Sequence, residues 1–241
     1  MPGISYSALS EHGLRPENDD AFFTGRIGDY VVCAVADGVP GHPDGAAASR
    51  AAVNAFRESL KGSRGTAREL LVAAVRKADA AVGALSGSEP RHAGLATTLT
   101  ACLIDTKNTC TLLDISGKNA LVINGATAEY AAAAARSRRP ASRPAPAARP
   151  PEPSLAAMVS HVLGAPYRLK ESDPVEFVLG DEYLLIASDG LTDHLTAGAI
   201  AAIVRDSGGS PDAACERLVQ EAMRVGSEST ITVVLVHGTG A

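Results

Sequence analysis

Two apolar runs in this chain end in Asp-Gly, and these are the residues whose type and spacing could do chemistry. Tyr30-Val-Val-Cys-Ala-Val-Ala-Asp37-Gly38 leads into a turn with Pro40, Gly41 and His42, and Tyr183-Leu-Leu-Ile-Ala-Ser-Asp189-Gly190 leads into Leu191, Thr192 and Asp193. A carboxylate at the end of a buried strand is costly unless a cation or a hydrogen-bond network receives it. The glycine lets the backbone bend and bring its own carbonyl to whatever the Asp holds. Two such strands delivering Asp-Gly to the same end would form a hard-oxygen metal site. The polar segment Glu11–Asp20 adds Arg15, a residue type that binds phosphate bidentately, just before the adjacent carboxylates Asp19 and Asp20. Several carboxylates, one positioned Arg and no suitable thiol or Ser elbow argue for metal-assisted attack of water on a phosphate. Two divalent ions would lower the pKa of a bridging water, and His42 could protonate the leaving alkoxide. Any one Asp-Gly is weak evidence, because the pair is also a common turn.

The elements that must position these residues can be read from the hydrophobic pattern. Strands are expected at Ile4–Leu9, Ala21–Arg26, Tyr30–Asp37, Thr97–Ile104, Thr109–Ser116, Asn119–Asn124, Val175–Leu179, Tyr183–Ala187 and Thr230–His237. Amphipathic stripes predict helices over Gly45–Leu60 and Thr66–Leu85, the second N-capped by Thr66. Further helices are expected over Ser154–Leu163, over Thr196–Arg205 and after Ser210-Pro211. The short turns between 97 and 124 suggest a three-stranded antiparallel meander. The expected class is α/β (α+β): antiparallel sheets packed together with helices outside, rather than a βαβ wheel. Residues 126–153 change character: a short helix can persist through the alanines, the Pro/Ala/Arg part cannot bury a core, and the segment is expected to form a mobile insertion within one domain spanning 1–241.

Composition limits what such a protein can do. Hydrophobic residues make up 46% of the 241, enough for one sizeable core, and with only 4% aromatics and no Trp the packing falls to Ala, Val, Leu and Ile. Cys33, Cys102, Cys110 and Cys215 lie far apart without a CxxC pair, so buried free thiols are expected in place of disulfides or zinc. The net charge of −5 is uneven: residues 136–149 hold five arginines and no acids, and the rest carries 17 basic against 27 acidic residues. A body that acidic repels nucleic acid and accommodates divalent cations. No apolar run approaches a membrane span and the amino terminus lacks a signal-peptide pattern, so a cytoplasmic location is expected.

Taken together the motifs resemble the type 2C metal-dependent protein serine/threonine phosphatases, the PPM family. The matching stretches are Arg15-xx-Asn18-Asp19-Asp20, Val35-Ala-Asp37-Gly38-xx-Gly41-His42, Ala96-Thr-Thr-Leu-Thr100, Ser188-Asp189-Gly190-Leu-Thr-Asp193 and Thr230-Ile-Thr-Val-Val234, in the family's order. The resemblance implies a sandwich of two antiparallel sheets flanked by helices, with a Mg²⁺ or Mn²⁺ pair at one end and a phosphorylated protein as substrate. By position, Arg15 would hold the substrate phosphate and Asp37 would bridge both ions. Asp19 and the Gly38 carbonyl would serve one ion and Asp189 the other, while Asp20 and Asp193 would support the waters.

Two departures from that pattern matter. Where the family has Gly-Asp-Ser-Arg, this chain has Ser116-Gly117-Lys118-Asn119, so Gly117 replaces an Asp that helps bind a third ion in bacterial-type members. Where the family ends in Asp-Asn before Ile-Thr-Val-Val, Ser229-Thr230 stands here, and a serine hydroxyl is a much poorer ligand for a hard cation than the lost carboxylate. Segment 126–153 also stands in place of the family's flap. Two functions therefore stay open: a phosphoprotein phosphatase with weakened metal affinity, and a pseudophosphatase that binds a phosphoprotein or another partner.

Overall fold

The computed structural model describes residues 3–39, 44–138, 162–164 and 173–239. Its strands are β1 (Ile4–Glu11), β2 (Asp20–Ile27), β3 (Tyr30–Asp37), β4 (Thr100–Ile104), β5 (Thr109–Asp114), β6 (Ala120–Asn124), β7 (Thr127–Tyr130), β8 (Val175–Val178), β9 (Glu182–Ala187) and β10 (Ile231–Gly238). Five of them form one sheet in the order β1-β10-β9-β6-β7 and five a second in the order β2-β3-β4-β5-β8, with every pairing antiparallel. Helices cover the outer faces: α1 (Gly45–Leu60) and α2 (Ala67–Ser86) lie on the second sheet, and α5 (Ala197–Arg205) and α6 (Pro211–Arg224) on the first. The short helices α3 (Ala131–Ser137) and α4 (Asp189–Thr192) fill connections. The expected helix-flanked sandwich of antiparallel sheets is what the chain forms.

Strand periodicity sorts the core into three layers. Along β3, Val32, Ala34 and Ala36 face α1 and α2, while Val31, Cys33 and Val35 face the other sheet. Along β10, Val234 and Val236 face inward and Ile231, Val233 and Leu235 meet the helices. β3 and β10 thus carry apolar residues on both faces, which is why each reads as an unbroken hydrophobic run. All four cysteines are buried free thiols, three of them in the layer between the sheets. Helix ends follow their caps: Thr66 and Glu69 form a capping box on α2, and the hydroxyls of Thr196 and Ser210 accept from the third residue of α5 and α6.

Two expectations are corrected. The stretch 97–124 is not a meander: β4 and β5 pair in one sheet, but β6 crosses to the other and pairs with β9 and β7. The crossing is made by the Asp114 carboxylate, which accepts from Thr100 Oγ1 (2.8 Å), Ser116 Oγ (2.8 Å), Gly117 N (3.0 Å) and Asn119 N (3.0 Å) and folds the chain over the sandwich end. The segment 126–138 is also ordered and not part of a mobile insertion. β7 pairs with β6, and Ala131, Ala134 and Ala135 of α3 are buried in the inter-sheet core. The Pro/Arg-rich remainder, 139–153, and residues 154–161 of the expected Ser154–Leu163 helix lie outside the described residues.

Candidate active site

The inward face of β3 ends at Asp37, where the apolar layer between the sheets runs out. Asp20, the first residue of β2, sits directly opposite it in the strand register, so both carboxylates face the other sheet. From that sheet come Ser188, which continues the inward row of Leu184 and Ile186, and Thr232, which continues that of Val234 and Val236. Asp189 follows Ser188 as the first residue of α4, and its N–H lies 3.4 Å from Asp37 Oδ2. The two Asp-Gly corners, one from each sheet, therefore meet across the end of the sandwich.

The main chain around Asp37 is tightly held. Thr98 Oγ1 accepts from the Asp37 N–H at 3.2 Å, and the Asp37 carbonyl accepts from Thr98 N and Thr97 Oγ1, both at 2.8 Å. Gly38 N donates to the Asp19 carbonyl at 3.1 Å. The side chain of Asp19 turns instead to the start of α1, where Oδ1 accepts from Ala46 N at 3.1 Å, a favourable place for a carboxylate. A Cβ on Gly38 would come within 2.6 Å of the Gly45 backbone, so only glycine lets α1 start this close. Across the site, a Cβ on Gly190 would lie 2.0 Å from the Thr230 carbonyl, so the second corner is also a place of close backbone approach.

Electrostatically, negative charge dominates the site, where Asp20, Asp37 and Asp189 repel one another. Asp37 and Asp20 are each only 6% exposed, and neither oxygen of Asp20 has a hydrogen-bond partner within bonding geometry. Burial, then the nearby charges of Asp20 and Asp189, push the Asp37 carboxyl well above the usual carboxylate range. Burial also raises Asp20, opposed by the hydroxyls of Thr232, Ser188 and Thr230 that surround it. A native fold rarely leaves a buried carboxylate orphaned. Among the described residues no group of three or more His, Cys, Asp or Glu side chains is arranged as it stands to hold a metal ion. The donor set nevertheless fits a hard cation: it is all oxygen, its charges repel one another, and Asp20 has unused lone pairs.

The other predicted residues take varied places. Arg15 is exposed on a loop closed by its own N–H to the His12 carbonyl (3.1 Å), and Leu14 N fastens that loop to the Glu228 carbonyl (3.2 Å), next to half-buried Ser229. Asp193 is taken up by an ion pair, its Oδ1 2.7 Å from Lys118 Nζ. Gly117 is exposed in the Asp114 corner, and His42 lies outside the described residues. Sequence reading passed over the Thr97–Thr98 clamp, whose only signal was the Ala96–Thr100 motif. It also passed over the hydroxyl surround of Asp20, and Lys118, whose partner is 75 residues away.

A family model described as protein phosphatase 2C matches residues 160–231. No curated protein matches the chain. Among solved structures, the chain is similar to the Mycobacterium tuberculosis serine/threonine phosphatase PstP/Ppp, with 23% identity over 98% of this chain and 99% of that one and a TM-score of 0.72. The catalytic domain of PstP in complex with two manganese ions gives a TM-score of 0.73 at 23% identity, over 98% of both chains. A PPM Ser-Thr phosphatase from Mycobacterium smegmatis, MsPP, in complex with cacodylate, gives 0.70 at 24% identity over 97% of both. At these identities the likeness is one of fold.

Proposed function

We propose that this chain is a phosphatase of the protein phosphatase 2C type, which hydrolyses phosphoserine or phosphothreonine in proteins by attack of a metal-activated water. The observation that carries the reading is the carboxylate of Asp20, without a hydrogen-bond partner in bonding geometry, beside Asp37 and Asp189 in a buried concentration of negative charge. Bound divalent Mg²⁺ or Mn²⁺ supplies a nucleophilic water at neutral pH and offsets the charge of an in-line phosphoryl displacement. Asp37 would bridge two such ions, with Asp19 and the Gly38 carbonyl on one side and Asp189 on the other. Asp20, ringed by the hydroxyls of Ser188, Thr230 and Thr232, would orient water inside the site. Arg15 would grip the phosphate from the exposed rim, where a phosphorylated side chain can reach it. His42 remains the candidate for protonating the leaving alkoxide.

A second reading is a pseudophosphatase that retains phosphoprotein or partner binding without turnover. What favours it is Ser229, a hydroxyl where the family resemblance implies a carboxylate on the Asp189 side, together with the lysine after Gly117. One experiment separates the two. Hydrolysis of a phosphopeptide and of p-nitrophenyl phosphate is followed across Mn²⁺ concentrations against the Asp37→Ala variant. Turnover that saturates with Mn²⁺ and vanishes in Asp37→Ala supports the enzyme, whereas rates equal to Asp37→Ala at saturating Mn²⁺ overturn it.

A further inference from the structure

Lys118 takes no part in the catalysis just proposed, yet its side chain reaches the end of the helix that begins at Asp189. Its own segment is folded by the Asp114 carboxylate, which receives the N–H groups of Gly117 and Asn119. The next residue joins the other sheet: the Asn119 carbonyl accepts from Ala187 N at 2.9 Å, two residues before Asp189. At its far end Lys118 Nζ meets Asp193 Oδ1 at 2.7 Å, and Asp193 N donates to the Asp189 carbonyl at 2.9 Å. The ammonium thus pairs with the residue one helical turn on from Asp189, and main-chain bonds hold the backbone on both sides of the span.

We propose that Lys118 is a built-in cation of the Asp189 side, supplying positive charge that a divalent ion would otherwise bring and so weakening divalent binding there. The inference rests on the metal-site reading above. It accounts for two features of that side together. A fixed ammonium within Coulombic reach of Asp189 and Asp37 offsets part of their repulsion. With that charge in place, a neutral Ser229 leaves the local balance less negative than a carboxylate would, which disfavours a second divalent ion. Asp193, occupied by the ammonium, is drawn away from any ion-bound water.

Calorimetric titration of Mn²⁺ into the metal-free full chain tests this without recourse to activity. Lys118 is 46% exposed, so replacing it leaves the core untouched. Lys118→Met is expected to bind Mn²⁺ roughly ten-fold more tightly at low ionic strength, because one unit charge is removed close to the ion. The gain should shrink as salt screens it, and Lys118→Arg should retain the original affinity. Unchanged or weaker binding by Lys118→Met, while Asp37→Ala abolishes binding, overturns the role of Lys118 and leaves the metal site standing. Binding that survives in Asp37→Ala, or its absence from every variant including Lys118→Asp, overturns both readings. No binding by the parent chain but measurable binding by Lys118→Met supports the inference.

Discussion

Asp37-Gly38 ends a strand whereas Asp189-Gly190 begins a helix, and the fates of their carboxylates differ accordingly. Asp37 stands at the end of a sheet's inward face, its backbone held by Thr97 and Thr98, with Asp20 opposite and a helix start against Gly38. Asp189 is half-buried, packed through Gly190 against the Thr230 carbonyl, with the Lys118–Asp193 ion pair one turn on. Both corners use glycine for close backbone approach. Asp37 and Asp20 are buried with no ion pair among the described residues, whereas the Asp189 corner has the Lys118–Asp193 pair one turn on. Backbone architecture and charge balance are therefore separable properties of the two corners.

The largest expected effect comes from removing charge at the Asp37 corner. Asp37→Asn should lower phosphopeptide turnover by at least about a thousand-fold, as loss of electrostatic stabilisation at a reacting centre does. The same substitution should stabilise the metal-free fold. Because the Asp37 carboxyl lies above its ordinary value of 3.8 when folded, the folded chain binds a proton that the unfolded chain releases. Stability of the metal-free protein is therefore lost as pH rises from that value through the folded one, and Asn escapes the loss. Thermal melts in chelator should show the gap between Asp37→Asn and the parent widening with pH. A gap that narrows would mean that Asp37 is already compensated.

Arg15→Ala comes next. A charge-assisted contact to phosphate lost from an exposed loop should lower kcat/KM by roughly ten- to a hundred-fold. Because the arginine lies outside the carboxylate cluster, Mn²⁺ affinity should stay unchanged, and a loss of metal binding in this variant would contradict the division of roles.

Much of this contrast was legible in the sequence and some of it was not, for reasons that are local. The apolar runs of β3 and β9 announced themselves, because strands sandwiched between a sheet and helices carry no polar face. Their terminal Asp-Gly pairs followed from the same pattern. The switch of β6 into the other sheet was invisible, since a turn between two strands looks alike whether the second pairs with the first or crosses a corner. Only the hydrogen bonds of Asp114 distinguish the two, and one of them reaches back 14 residues to Thr100. Lys118 was passed over because an ion pair between distant residues leaves no trace in spacing. The inward placement of Asp20 needed the strand register, which fixes its partner as Asp37.

Ser229→Asp adds a carboxylate at the position where the family resemblance implies one, and an intermediate effect is expected. It should lower the Mn²⁺ concentration for half-maximal hydrolysis several-fold, with little change in the rate at saturation, because a carboxylate is a stronger ligand than a hydroxyl for a hard cation. Combined with Lys118→Met, the two shifts should exceed the sum of their separate free energies if both act on one ion. No shift in the single variant would mean that position 229 does not face the metal.

The smallest effect should come from Asp193→Asn, and its size completes the contrast with Asp37. Lys118 and Asp193 are 46% and 54% exposed, so their 2.7 Å ion pair is shared with water. Exposed pairs of this kind contribute about 0–1 kcal/mol, and denaturant melts of Asp193→Asn should show a loss no larger than that. Replacing a carboxylate by its amide is therefore expected to have opposite signs at the two corners of the metal-free chain. At Asp37 it removes a repulsive charge and stabilises, and at Asp193 it removes a balanced one and slightly destabilises. If Asp193→Asn also stabilised the fold, the excess negative charge would extend over the whole end of the sandwich, and Lys118 would be too weak a counter-charge to set the two corners apart.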